Sequence, residues 1–341
     1  MATPSSSAFD SDLIAALRGA RFVAALTGAG ISAESGLATF RDAQTGLWAK
    51  EPLNGPHAEC VASKMRMDAR RAPKVVVDAT NRGAQRRRHR ILPQPEGTGL
   101  FGRSALLRGS LMGPAISFAS RRASYPEKPP SQPCGARSEV LYFDPRELAT
   151  PGAFARNPKL VWDWYAWRRE HVAAAQPNAG HLALAELEGR VREFALITQN
   201  VDGLHQRAGS RNPIELHGNI TRVKCSREGT IVERWEAPPD ALPRCGNCGA
   251  PLRPDVVWFE EMLPERALAA ADAAVRRCNV LLVIGTSAEV YPAAALPALA
   301  RLSGAIVVEI NPEATPLSAI ADFALRGAAG IVLPALVAAL D

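Results

Sequence analysis

The chain reads as an α/β fold built on a parallel sheet. Three observations predict it. Short apolar runs at Phe22–Leu26, Phe194–Ile197, Val280–Ile284 and Ile306–Ile310 read as strands. Helical stretches separate them, and strand–helix alternation implies parallel strands joined by right-handed crossovers. The first run ends at Thr27-Gly28-Ala29-Gly30, where two glycines let the backbone turn tightly and approach a ligand closely.

In chain order, Ser11 or Asp12 can cap a helix through Leu13, Ala16 and Leu17, and Gly19 suits its end. Strand one and the glycine turn come next. At Glu51 the character changes: residues 51–142 contain Gln85-Arg86-Arg87-Arg88-His89-Arg90 and a Pro-rich stretch at Tyr125–Pro130, with no sustained helical or strand period. They read as a basic insertion without regular structure. The alternatives are a basic tether for nucleic acid or a partner, and translated non-coding sequence. Asn157-Pro158 supplies a cap and a proline at the first helical position. The helix it opens, Lys159–Ala175, carries Trp162, Trp164, Tyr165, Trp167 and Arg168. His181–Leu187 reads as a short helix, and strand Phe194–Ile197 ends at Thr198-Gln199-Asn200. Val223–Pro254 is polar and cysteine-bearing, a small metal module. Helix Ala267–Arg277, strand Val280–Ile284, helix Leu296–Leu302, strand Ile306–Ile310 and a final strand and helix near Ile331–Leu340 complete the chain.

Composition narrows the function. A chain of 341 residues, 47% apolar, can bury one large core or two domains. No apolar run approaches the roughly 20 residues that span a bilayer, so no membrane partner is expected. The N-terminus carries Asp10 and Asp12 and no apolar signal core. Six cysteines, two of them in a Cys245-Gly-Asn-Cys248 knuckle, suggest metal rather than disulfides, and a reducing, cytoplasmic location. The net charge of +6 hints at nucleic acid, but residues 51–142 hold 13 Arg and 3 Lys against 7 acids. That surplus of +9 leaves −3 for the remainder, so nucleic acid is not the expected partner of the folded part.

Gly28-Ala29-Gly30-Ile31-Ser32-Ala33 satisfies a dinucleotide fingerprint with Ala in third place, a weak signal alone. The next residues are unlike a dehydrogenase: Glu34-Ser35-Gly36-Leu37 and Thr39-Phe40-Arg41-Asp42 form a polar loop where a long helix should run. With Thr198-Gln199-Asn200-Val201-Asp202, Leu216-His217-Gly218, Gly285-Thr286-Ser287 and Ile310-Asn311-Pro312-Glu313 in that order, the chain resembles the sirtuin family, the NAD-consuming protein-lysine deacylases. The resemblance covers Leu13–Lys50 and Phe143 to the C-terminus.

The resemblance implies a Rossmann-like parallel sheet, of the NAD-binding kind shared with deoxyhypusine synthase, and a smaller helical lobe with a zinc module. It divides the chain into a large lobe (11–39, 179–217, 262–341) and a small lobe (40–50, 143–178, 218–261), with 51–142 inserted. It implies that Gly28, Ala29, Gly30, Ile31, Ser32, Gly285, Thr286 and Ser287 meet NAD phosphates with backbone and hydroxyl groups. Phe40 would shield the reactive ribose and Arg41 would sit near the phosphates. Gln199, Asn200, Val201 and Asp202 would meet the nicotinamide side, and Asn311, Pro312, Glu313 and Ala329 the adenosine side. His217 is the candidate general base, since neutral imidazole can take a proton from a ribose hydroxyl near pH 7, with Asn200 its catalytic companion.

Val257, Trp258 and Phe259 resemble the family's peptide-backbone segment, in which Glu260 replaces a glycine. A positive φ there would cost energy. Tyr165 and Arg168, at i and i+3, share a helix face and could grip a distal carboxylate. This spacing resembles the class III sirtuins, which remove succinyl and malonyl groups, and Ala43 would widen the acyl pocket. Their alternative is a core Tyr and a solvated Arg, like the adjacent Arg169 and Glu170. The family's zinc site has two Cys pairs. Here Cys245 and Cys248 form one, while Cys225 is followed by Glu228 in place of its partner, so zinc is left open, with Glu228 as an oxygen ligand or the site degenerate. His181 and His205 read as structural. The rival functions are an NAD-dependent oxidoreductase, and a catalytically impaired relative that binds nucleic acid or a partner. Acyl-lysine proteins are the expected substrates, and the oligomeric state is open.

Overall fold

The computed structural model describes residues 9–37, 148–236 and 241–341. The expectations attached to Phe40, Arg41, Ala43 and residues 51–142 lie outside the described residues.

Helix α1 (Ser11–Gly19) begins one position earlier than the sequence suggests. Its cap is Asp10, whose carboxylate accepts from Asp12 N–H at 2.8 Å. Strand β1 (Phe22–Thr27) is buried at every position. Its period of two sends Val23 and Ala25 into one apolar layer and Phe22, Ala24 and Leu26 into the other. The chain then continues through helices α2 (Pro151–Arg156), α3 (Pro158–Ala174) and α4 (Ala179–Arg190), strand β2 (Glu193–Thr198), the single turn α5 (Leu204–Arg207) and strand β3 (Ile214–Glu215). Asn157 caps α3 as its sequence predicts, accepting from Leu160 N–H at 3.1 Å, with Pro158 at the first position. Strands β4 (Gly218–Cys225) and β5 (Leu252–Val256) form a separate antiparallel pair. Helix α6 (Glu265–Arg277), strand β6 (Val280–Ile284), helix α7 (Leu296–Leu302) and strand β7 (Ile306–Ile310) come after it. The last strand, β8 (Phe323–Leu325), lies earlier than the expected 331–340 region, which is helix α8 (Ala329–Ala338).

The six-stranded sheet runs in the order β3-β2-β1-β6-β7-β8, and every pairing is parallel. One face packs on α1, α4 and α8 through Leu13, Leu184, Leu282 and Leu333. The other packs on α6 and α7 through Val275, Leu281, Val283 and Leu296. Burial on both faces explains why the strands read as unbroken apolar runs.

Register makes the site. Thr27 pairs with Thr198 and with Ile284, and Ile284 pairs with Ile310. Four strands therefore end level, and the loops Gly28–Ser32, Gln199–Asp202, Gly285–Ser287 and Asn311–Glu313 leave from one carboxyl edge. The strand order reverses between β1 and β6, the place where open parallel sheets bind ligands.

Candidate active site and metal centre

The glycine turn after β1 and the one after β6 interlock. Gly30 N–H donates to Gly285 O at 2.8 Å, and Gly28 N–H to Ile284 O at 2.9 Å. A Cβ on Gly30 would stand 2.7 Å from Gly285 Cα. Gly285 has φ +59, and a Cβ there would stand 2.5 Å from Ile31 N. These glycines serve backbone-to-backbone packing as well as access. The chain leaves β1 through two 3₁₀ turns, Ala29–Ile31 and Ala33–Ser35, without the long helix of a dehydrogenase.

Two of the nicotinamide-side candidates, Asn200 and Asp202, join Ser32 in one hydrogen-bonded set. Asn200 Nδ2 donates to Gly28 O and to Ser32 Oγ, both at 3.1 Å. Ser32 Oγ donates to Asp202 Oδ2 at 2.8 Å, and Asp202 Oδ1 accepts from Leu204 N–H at 2.9 Å. Burial raises the Asp202 carboxyl pKa, while the Leu204 and Ser32 bonds work against the rise. Behind this set stand His181 and His205, both buried, with rings 4.8 Å apart. His181 Nε2 lies 3.4 Å from Ser32 Oγ, and His205 Nε2 lies 3.0 Å from Thr27 Oγ1. Burial pushes their pKa values down, to about 4 and about 3. Sequence reasoning missed Asn178. It caps α4, and its Nδ2 donates to Ile31 O at 2.7 Å and Ser35 Oγ at 3.0 Å, tying the first loop to the helix. Pro177-Asn178 before a helix was the available signal.

Of the adenosine-side candidates, Asn311 donates from Nδ2 to Thr286 O at 3.0 Å, and Gln199 Nε2 donates to Thr286 Oγ1 at 3.1 Å. Thr286 thus joins three of the loops. Ser287 is half-buried, and Pro312 and Glu313 are exposed. Val201 packs against the apolar cluster that holds Phe154, Trp164, Tyr165 and Trp258, and Ala329 is buried at the first position of α8.

His217 lies between β3 and β4, one residue before β4 begins at Gly218. Its Nδ1 lies 2.8 Å from Gln199 O. A carbonyl only accepts, so Nδ1 carries the proton and Nε2 keeps a free lone pair. Burial holds the imidazole pKa below its usual value, and the Gln199 bond opposes the fall. His217 O accepts from Val257 N–H at 2.9 Å, which joins the candidate base to the segment expected to meet peptide. Gly218, at φ +79, must be glycine: a Cβ would stand 2.2 Å from Asp255 O.

Beyond β5, Trp258 is buried, and its Nε1–H donates to Tyr165 Oη at 3.1 Å. Tyr165 is 1% exposed, and its hydroxyl proton has no acceptor among the described residues. Arg168 lies with its Cζ 4.8 Å from the Trp164 ring and 5.6 Å from the Tyr165 ring. Burial lowers its pKa, and Tyr165 opposes that. Arg169, expected in solvent, instead lies 4.6 Å over Trp162, while Glu170 is exposed. Aromatic faces compete with water for a weakly hydrated guanidinium. Phe259 is 39% exposed and ties back through its N–H to Ala149 O at 2.9 Å. Glu260 has φ +71, the left-handed conformation the glycine replacement raised, in a turn closed by Glu261 N–H to Trp258 O at 3.1 Å.

The cysteine module consists of two similar turns. Gly229 N–H donates to Cys225 O at 3.0 Å and Gly249 N–H to Cys245 O at 2.9 Å, each glycine with φ +69. Glu228 therefore holds in the first turn the place Cys248 holds in the second. The ligand atoms of Cys225, Glu228, Cys245 and Cys248 all lie within 4.8 Å of one another. The Glu228 backbone N–H, 3.4 Å from Cys225 Sγ, holds that thiol pKa below its ordinary value. Three thiols and a carboxylate at this spacing fit a tetrahedral zinc ion.

A parallel α/β sheet with converging loops at its switch point and a knuckle module beside it defines a nucleotide-binding class. A model of the Sir2 family matches residues 138–292. An NAD-dependent protein deacylase of Methylococcus capsulatus is 36% identical over 340 residues, 97% of each chain. One from Aquifex aeolicus is 55% identical over 181 residues, 53% of this chain and 76% of the relative. A Sir2 homologue solved as an NAD complex is 36% identical, with TM-score 0.67 and coverage of 100% of this chain and 96% of that one. A mutant Sir2 homologue bound to 2'-O-acetyl ADP ribose is 37% identical, with TM-score 0.66 over 97% and 96% of the two chains. The chain belongs to the Sir2 family of sirtuins.

Proposed function

We propose that this protein is an NAD-dependent protein-lysine deacylase that prefers acidic acyl groups and yields nicotinamide and 2′-O-acyl-ADP-ribose. The observation that carries the reading is His217, whose Nδ1 is committed to Gln199 O at 2.8 Å while Nε2 is free to act as a base. NAD supplies an electrophilic ribose carbon, at which the acyl-lysine carbonyl oxygen displaces nicotinamide. The chain's residues orient the reactants and keep water out until nicotinamide has left. Asn200, Ser32 and Asp202 hold the nicotinamide side, and Thr286 and Asn311 the adenosine side. Neutral His217 takes the proton of a ribose hydroxyl so that this oxygen can attack the acyl carbon; one water then adds, the lysine amine leaves and the acyl group stays on the ribose as an ester. Val257 and Phe259 flank the peptide. NAD would meet peptide where the lobe containing the parallel sheet adjoins the lobe of α2, α3, β4 and β5.

For acyl choice, support comes from Tyr165 and Arg168 side by side on α3. A partly desolvated guanidinium gains more from an anion than a solvated one does, and the spare phenol proton adds a bond. For the metal, Cys225, Cys245, Cys248 and Glu228 would hold a structural zinc that closes the turns beyond β4 and before β5. Among the described residues no helix is long and apolar enough to cross a membrane.

The test is acyl-peptide turnover by wild type and by His217→Ala, with NAD binding measured by calorimetry. The variant should bind NAD and fail to turn over. Undiminished turnover in the variant would remove His217 from the chemistry.

A further inference from the structure

Strand β7 reads Ile-Val-Val-Glu-Ile, and its one acid, Glu309, is 1% exposed. A carboxylate is retained at such a position only if its oxygens are satisfied. They are. Oε1 accepts from Thr315 Oγ1, and Oε2 accepts from Ser318 Oγ and pairs with Arg326 Nη1 at 2.8 Å. The partners are themselves committed to the segment after β7. Thr315 Oγ1 accepts from Leu317 N–H at 3.1 Å, and Ser318 Oγ from Thr315 N–H at 2.9 Å. Arg326 donates to Ser318 Oγ at 2.9 Å and to Glu313 O at 3.0 Å. One buried carboxylate therefore fastens residues 311–318 to the sheet. Asn311, two residues beyond Glu309, closes on Thr286 of the neighbouring loop.

We propose that Glu309 is a positioning residue for the adenosine half of NAD, acting through Thr315, Ser318 and Arg326 on the turn Asn311-Pro312-Glu313. This rests on the reading of the cleft as an NAD site. A carboxylate that only held the fold together would affect stability and every substrate alike. One that positions this turn affects the nucleotide alone. The charge matters because it draws three donors to one point, and Gln can satisfy the same space with one oxygen fewer.

The experiment uses the full chain and ADP-ribose as the probe, in calorimetry, together with steady-state kinetics. Glu309→Gln should raise the ADP-ribose Kd and the KM for NAD about tenfold, the effect of losing one charge-assisted hydrogen bond. The KM for acyl peptide and kcat at saturating NAD should stay near wild type. Ser318→Ala, which removes a single neutral donor without touching the charge, should raise the Kd about threefold. It carries the test if Glu309→Gln does not fold. ADP-ribose binding within twofold of wild type in a folded variant would overturn the proposal, as would an equal rise in the peptide KM. If wild type itself fails to bind ADP-ribose, the NAD reading falls and this proposal falls with it, a result distinct from a variant that binds normally.

Discussion

A guanidinium laid over aromatic rings trades part of its water shell for π faces, and Arg168 does this beside Trp164 and Tyr165. If it also grips an acyl carboxylate, replacing it with Met should lower kcat/KM on succinyl-lysine by at least about 30-fold, mostly through KM. Acetyl-lysine turnover should hold or rise, because that group has no carboxylate. Measuring both substrates on one preparation cancels any folding defect, and equal losses would make Arg168 a residue of the fold. The Tyr–Arg spacing is legible in the sequence. The hydrogen bond from Trp258 to Tyr165 is not, because it joins side chains 93 positions apart. Arg169 escapes a sequence reading for a related reason: its aromatic partner, Trp162, lies seven residues back, two turns along the same helix.

At the scale of elements, the turn at Trp258–Glu261 holds a non-glycine residue at φ +71. Such a conformation costs about 1–3 kcal/mol, and glycine would recover most of it less its own chain entropy. Glu260→Gly should raise the melting temperature by about 2–4 °C, and a fall would show that the Glu260 side chain contributes more than its backbone strain costs. The paired turns of the cysteine module predict bound zinc at one equivalent per chain. Glu228→Cys should slow metal loss to a chelator about tenfold or more, since thiolate suits zinc better than carboxylate in a four-thiolate site. Equal loss rates would mean Glu228 is no ligand. The replacement of a cysteine by Glu228 is visible in the sequence, whereas the equivalence of the two turns needs the backbone. Strands buried on both faces announce themselves as apolar runs. β3 does not, because two residues carry no periodicity, and α2 is easily passed over although Thr150-Pro151 is a cap and first-turn proline.

For the whole molecule, the buried pair His181 and His205 ties stability to pH. Both are neutral in the folded chain down to about 4 and about 3, whereas unfolded imidazole protonates near 6.5. Their contribution is fully present above about pH 6.5. It is lost as pH falls from there to about 4 and about 3, by up to ~1.4 kcal/mol per pH unit for each group. His217, lowered as well, acts in the same direction. Asp202, with its raised carboxyl pKa, opposes them, being stabilising when protonated. Urea midpoints should therefore fall from about pH 6.5 downward, and His205→Asn should flatten that slope. An unchanged slope would show that His205 is charged in the folded protein or does not titrate with it.

Whether NAD is consumed to carry off an acyl group is decided by mass spectrometry of the products made from NAD and a succinyl- or acetyl-lysine peptide. Nicotinamide, free lysine peptide and acyl-ADP-ribose should form in equal amounts, with no product when NAD is withheld. Free carboxylate released without NAD, or reduced nicotinamide cofactor with the peptide untouched, would contradict this.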